Sequence, residues 1–342
     1  MRKLLNTLYI TTPESYIAKD GENVVIRVGS EEKFRIPVHN IEGIVCIGHI
    51  SVSPAMIGFC ADKNVGLSFL SETGRFLGRV SGKIRGNVLL RREQFRLADS
   101  DLSLNPARLF IAGKIANCRA VINRAIRDHG NEMNTTALTE VSGLLLTRQK
   151  QAFRAADKEQ LRGYEGDAAT SYFKVFKHLI VSQNEDFPFT GRNRRPPKDN
   201  VNALLSFTYT LLAHEVQSAL ETVGLDPYVG FLHTDRPGRI SLALDMMEEL
   251  RPYLADRLVL SLINRRQVTA KGFVNRDESG VIMDDKTRKE VLGAWQKRKL
   301  EEIKHPYLDE TIPVGLLPYV QALLLSRFLR GDLDNYPVFV VK

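Results

Sequence analysis

The chain has 342 residues, 43% of them hydrophobic, and a formal net charge of +8. That length supplies a real core and suggests two domains, and the positive excess fits a polyanionic partner without requiring one. The three cysteines, Cys46, Cys60 and Cys118, are scattered and form no C-x-x-C pair. This argues against a disulfide framework and against a structural zinc site, and it suits reduced core thiols in a cytoplasmic protein. The apolar run at the N-terminus is too short for a signal peptide, and no stretch approaches the roughly 20 apolar residues of a membrane helix. A soluble, intracellular protein is expected.

The first 85 residues read as mostly strand. Residues 5–10 are β-prone, and 15–19 and 23–28 flank Asp20-Gly21, a hairpin signal. Strands are expected at 33–37 and 43–47. Ser53 and Pro54 then open a short helix, Ser as its cap and Pro in its first turn. Segments 65–70 and 75–80 close the β region. From about residue 105 the period becomes helical. Apolar residues recur at helical spacing from Pro106 through Ile122 and Ile126, and 161–181, 201–223, 242–250, 255–263 and 286–299 follow suit. A short hairpin fits 272–284. The resulting fold class is α+β, with a β-rich unit at 1–85, a basic linker at 86–104 and a helical unit at 105–342. Two charged stretches read as loops. One runs from 75 to 96 and holds seven basic residues against Glu93 alone. The other runs from 191 to 198, where Pro196-Pro197 bars a helix.

Three features could carry chemistry. Glu165 lies between Gly163 and Gly166 near the start of a helix. Such a carboxylate is either favoured by the helix N-terminal dipole or left approachable by its small neighbours. His233 ends the stretch Gly230-Phe231-Leu232 and precedes a polar turn. Asp245 and Glu248 stand at i and i+3, on one side of a helix. Apolar residues nearly encircle that helix, so the two acids should be at least partly buried. Buried carboxylates need a counter-charge, and a metal supplies one. Oxygen ligands with one imidazole suit Mn²⁺, or Mg²⁺ with water completing the shell. Nothing local shows that Glu165 joins the other two. There is no phosphate loop, no G-x-S-x-G elbow and no H-E-x-x-H, which leaves metal-assisted chemistry as the leading catalytic option.

Three blocks carry a family resemblance. They are Gly163-x-Glu165-Gly166-x-Ala168-Ala169-x-x-Tyr172-Phe173, Asp199-x-x-Asn202-Ala203-Leu204-Leu205-Ser206-Phe207-x-Tyr209, and His233 with Ser241 to Glu249. Together they resemble the CRISPR-associated adaptation integrases, metal-dependent nucleases of CRISPR systems, over essentially the whole chain. The N-terminal wording is most like subtype I-C members. The resemblance implies a β-rich dimerisation domain and a helical domain carrying Mg²⁺ or Mn²⁺. It places the metal ligands at Glu165, His233 and Glu248, with Asp245 as a further catalytic acid near the metal. Many members have Asp where this chain has Glu248, one methylene longer. The implied reaction is transesterification: the 3′-hydroxyl of a captured DNA attacks a phosphodiester at a CRISPR repeat border. Water as nucleophile would make the same site an endonuclease. Implied partners are DNA, a second copy of the chain, a small ferredoxin-like companion and an iron–sulfur exonuclease. Arg194, Arg195, Lys198, Arg236 and Arg239 are the candidate DNA contacts. Two readings stand beside this one: a nonspecific metal-dependent nuclease, and a DNA-binding scaffold with a structural metal.

Overall fold

The structure, a computed structural model, describes residues 7–41, 43–63, 65–71, 76–80, 88–130, 135–193, 196–276 and 280–341. The chain forms two compact units, residues 1–85 and 86–342. The first is β-rich and the second mostly helical.

The N-terminal unit holds β1 (Thr7–Ile10), β2 (Ser15–Asp20), β3 (Asn23–Val28), β4 (Glu31–Pro37), β5 (Gly43–Ile47), β6 (Ser51–Val52), α1 (Pro54–Lys63), β7 (Gly66–Leu70) and β8 (Phe76–Val80). One sheet has the order β4-β3-β2-β6 and the other β1-β5-β7-β8. The expected hairpin forms, with Asp20 paired to Asn23 and Gly21 at φ 58°. That left-handed value is cheap only for glycine. Ser53 Oγ accepts from Met56 N at the start of α1, the cap its position implies. Ile17, Val24, Ile44, Met56 and Leu67 lie in one core with Cys46 and Cys60. Burial pushes both thiols up to about 12. The two-residue strand β6 escaped the sequence reading, being too short to show a period.

The helical unit contains α2 (Val88–Ala98), α3 (Leu104–His129), α4 (Thr135–Phe153), α5 (Lys158–Phe176), α6 (Asn200–Val223), α7 (Ser241–Arg251), α8 (Arg257–Asn264), α9 (Asp285–Leu300) and α10 (Leu317–Leu329). The expected hairpin at 272–284 is β9 (Phe273–Arg276) with β10 (Gly280–Met283), and β11 (Glu302–Lys304) pairs with β12 (Thr311–Pro313). Part of the stretch expected as a charged loop, 88–96, lies instead in α2. Leu90 and Gln94 bury one face, and Gln94 bonds the carbonyls of Asp226 and Val229. The long helix α3 packs against α4, α5 and α7, while α6 packs against α7 and α10. Gly113 permits the close approach of the C-terminal segment and of α7: a Cβ there would lie 2.3 Å from Val338 Cγ2 and 3.3 Å from Glu249 Cβ. Among the described residues no helix is long and apolar enough to cross a membrane.

Candidate active site on helices α3, α5 and α7

Helix α7 is buried along nearly its whole length, and it carries three acids inward: Asp245 (0% exposed), Glu248 (5%) and Glu249 (0%). Each has its own partners. Asp245 accepts from Phe231 N at 2.6 Å, Leu232 N at 2.9 Å and His233 N at 3.0 Å. The same carboxylate takes His233 Nδ1 at 2.5 Å. A carboxylate only accepts, so Nδ1 carries a proton, and in the neutral ring the lone pair is on Nε2. Asp245 therefore folds the 231–233 loop and fixes the imidazole tautomer, the usual arrangement behind a ligating histidine. Gly230 makes room for it, because a Cβ would lie 2.7 Å from Asp245 Oδ2 and 2.9 Å from the Ser241 backbone.

Glu248, one turn on, points elsewhere. Arg251 binds its Oε1 at 2.8 Å, and Lys114 Nζ lies 2.7 Å from its Oε2. Oε2 is buried, and the ammonium is its counter-charge. Their contact is ionic. Burial opposes the charge on Glu248, and Arg251 with Lys114 outweighs it, holding the carboxyl down at about 2. Burial likewise opposes the charge on Lys114, and Glu248 with Glu165 raises its pKa above the ordinary value. Arg251 is held by the ring of Tyr209, 4.6 Å from its guanidinium carbon.

Glu165 reaches the same ammonium from α5, forming an ion pair with Lys114. It does not stand at the helix start, as expected from the sequence. Helix α5 begins at Lys158, capped by Asp157, so Glu165 is two turns in. Its flanking glycines face open space, since a Cβ at Gly163 or Gly166 would meet nothing within 4 Å, so no protein group uses the room they leave. One turn earlier, Arg162 donates to the carbonyl of Leu232 at 2.7 Å and ties α5 to the His233 loop.

The structure thus brings Glu165 and Glu248 onto one cation and sets Asp245 behind His233. Asp245 and Glu248 do not share a ligand, although they lie on one helix. The counter-charge expected of a metal is met by Lys114 and Arg251. Among the described residues, no three His, Cys, Asp or Glu side chains lie close enough together to hold a metal ion. The donor chemistry nevertheless fits one. Glu248 Oε2 is a buried carboxylate oxygen that already faces a cation, and His233 has Nδ1 tied back. Glu165 is already paired with a cation beside Glu248.

Sequence reading missed Lys114, Arg251 and Arg162. Lys114 had a signal: it stands four residues from both Phe110 and Cys118, on the apolar face of α3. A lysine there needs an acid from another helix. The Asp199 block is structural. Asp199 caps α6, Asn202 ties down the 191–193 segment, and Tyr209 donates to buried Asp256 at 2.6 Å. Arg192, in the charged loop, is built into the fold through Asn202 and Ser206. Arg194 and Arg195 lie outside the described residues. Lys198 and Arg236 are exposed and Arg239 half-buried.

Residues 8–297 match the family model for CRISPR associated protein Cas1. The chain belongs to the Cas1 family. It is 51% identical over 341 residues to a CRISPR-associated endonuclease Cas1 of Chlorobaculum tepidum, covering 99% of each chain. It is also 39% identical to a CRISPR-associated exonuclease Cas4/endonuclease Cas1 fusion of Geobacter sulfurreducens, over 98% of this chain and 60% of the fusion. The fold resembles a Cas1 protein from Thermotoga maritima, with TM-score 0.80 at 24% identity over 96% of this chain and 97% of that one. It also resembles a casposase bound to its integration product, with TM-score 0.83 at 20% identity over 97% and 92%.

Proposed function

We propose that this Cas1-family chain is a metal-dependent DNA integrase and endonuclease of CRISPR adaptation. The observation that carries the reading is the meeting of Glu165 and Glu248 on one buried cation, on the same helix set that presents His233 with its Nδ1 engaged. Relatives named as endonucleases support the nuclease chemistry.

Glu165, His233 and Glu248 would hold Mg²⁺ or Mn²⁺, which would supply Lewis acidity at a scissile phosphate and stabilise charge on its oxygens. The chain's own residues do the rest. Asp245 holds the imidazole in one tautomer and the 231–233 loop in one shape. Arg251, stacked on Tyr209, holds one oxygen of Glu248. In the reaction, the 3′-hydroxyl oxygen of the captured DNA forms a bond to a repeat-border phosphorus. The bond from that phosphorus to the 3′-oxygen of the target strand breaks, and the proton lost by the attacking hydroxyl is balanced by one taken up by the leaving oxygen.

A single chain has one Glu165/His233/Glu248 set, while insertion of a duplex needs two joinings. We therefore infer a homodimer formed through the N-terminal unit, assembled with the small ferredoxin-like companion. Fusion of a relative to a Cas4 exonuclease supports an exonuclease partner, which we take to be the iron–sulfur enzyme. Incubating the protein with a 3′-hydroxyl duplex and a supercoiled repeat plasmid tests the reading. Strand-transfer products are expected with Mn²⁺ or Mg²⁺, half-site without the companion and full-site with it. In His233→Ala they should vanish while DNA affinity stays nearly unchanged. Cleavage without joining would support the nonspecific nuclease, and DNA binding with neither would support the scaffold.

A further inference from the structure

Lys114 comes from α3, a helix that contributes none of the candidate ligands, yet its ammonium stands between two of them. Its side chain is 7% exposed and meets Glu165 of α5 and Glu248 Oε2 of α7. Two carboxylates drawn together out of water repel each other unless a cation joins them. In this structure the ammonium is that cation.

The two cations on Glu248 are held differently. Arg251 is a planar group stacked on Tyr209 and bound to Oε1. Lys114 is a flexible four-carbon stem with a point charge, meeting Oε2 as an ion pair at 2.7 Å. Of the two, the lysine can retract by rotating its stem. Its helix cannot retreat as readily, because neighbouring Gly113 is packed against Val338 and Glu249. The charges give the same answer. Glu165 and Glu248 together carry two negative charges, matched by Lys114 and Arg251. A divalent ion added beside both would leave an excess positive charge in a largely buried space, at a Coulomb cost that grows as water is excluded.

We propose that Lys114 is a place-holding cation: its ammonium keeps Glu165 and Glu248 together in the metal-free protein and leaves the space between them when a divalent ion binds. This rests on the reading that Glu165, His233 and Glu248 take the metal. Lys114 is then a positioning residue that sets both the stability of the empty site and its affinity for metal.

Mn²⁺ binding to the full-length protein, followed by the EPR signal of the free ion, gives the test, with thermal melts alongside. Lys114→Met removes a competing cation, so it should bind Mn²⁺ more tightly, by about tenfold or more if the ammonium's competition is worth one pKa unit or above. Its metal-free melting temperature should fall, and its gain on adding Mn²⁺ should exceed that of the unmodified protein. Unchanged or weaker Mn²⁺ binding in Lys114→Met would overturn the proposal. If Lys114→Met does not fold, ¹³Cε-lysine NMR of the unmodified protein decides, with the Lys114 signal assigned by its loss in Lys114→Arg. That signal should move on saturation with Mg²⁺, and a fixed position would refute displacement. His233→Ala separates the two levels. If it binds Mn²⁺ as well as the unmodified chain, the metal assignment fails and this proposal with it. If it loses Mn²⁺ while Lys114→Met is unchanged, only the role of Lys114 fails.

Discussion

Asp245 shows how much one carboxylate can determine. It is fully buried, yet its partners are three backbone N–H groups and one imidazole. Asp245→Asn keeps one acceptor oxygen and turns the other into a donor. That amide must then face either two backbone N–H groups or His233. The expected loss in stability is about 1–3 kcal/mol, the usual penalty for leaving buried polar groups unmatched. Activity should fall by about 10–100-fold, because the histidine's orientation is lost with its partner. Melting curves and strand-transfer rates across a Mn²⁺ series check both. If full activity survives in Asp245→Asn, the carboxylate is not what holds the imidazole.

At the scale of elements, the site is a junction of three helices and one loop. Helix α7 enters directly from the loop it organises, and Gly230 is the point of closest approach. In Gly230→Ala the added methyl meets the Ser241 backbone at 2.9 Å as well as the Asp245 oxygen at 2.7 Å. Backbone cannot step aside as a side-chain tip can. The loop or the start of α7 must shift, at a cost of about 1–3 kcal/mol typical of overpacking. His233 would move with it, so activity should drop more than stability alone explains. Equal melting temperature and equal activity in Gly230→Ala would show that the loop has slack. The C-terminal segment joins the same elements: Asn117 of α3 donates to the carbonyls of Glu249 and Phe339, and Phe339 N donates to Glu249. Gln321 of α10 completes the set by donating to Glu249 Oε1 at 3.0 Å.

For the whole molecule, the buried acids set opposite pH trends. Burial raises Glu249 to about 7 and Asp256 to about 6, against the hydrogen bonds they accept. Between the ordinary glutamate value of 4.5 and 7, the unfolded chain loses the Glu249 proton first, so stability falls as pH rises through that window. The Glu248 carboxyl works the other way. Its contribution is present above 4.5 and is lost as pH falls toward 2. Glu249→Gln should therefore flatten the decline between pH 4.5 and 7, by about 3 kcal/mol at most across the window. Denaturant melts at a series of pH values give the slope, and an unaltered slope would assign the trend to other groups. Surface charge makes a separate prediction. Lys198, Arg236 and Arg239 form no ion pair among the described residues, and the two arginines follow His233 closely in sequence. Neutralising all three should weaken duplex DNA binding and reduce its log–log salt slope by roughly 0.9 for each phosphate they engage. A constant slope would mean that they do not touch the DNA backbone.

The sequence by itself determined the two-part α+β order, most strand and helix positions, and the residues that carry the family likeness. These are local properties: period, hairpin glycines, and caps such as Ser53. Periodicity also showed that the acids of α7 are buried, because apolar residues surround them on the helix. Tertiary structure alone decided what those acids face. Asp245 and Glu248 share a helix side, yet one serves the 231–233 loop and the other serves Lys114, 134 positions away. Helical spacing fixes direction about an axis, not the identity of the neighbour. Lys114 was visible as a lysine on an apolar face, but its two carboxylates come from α5 and α7, and only packing of the three helices brings them together.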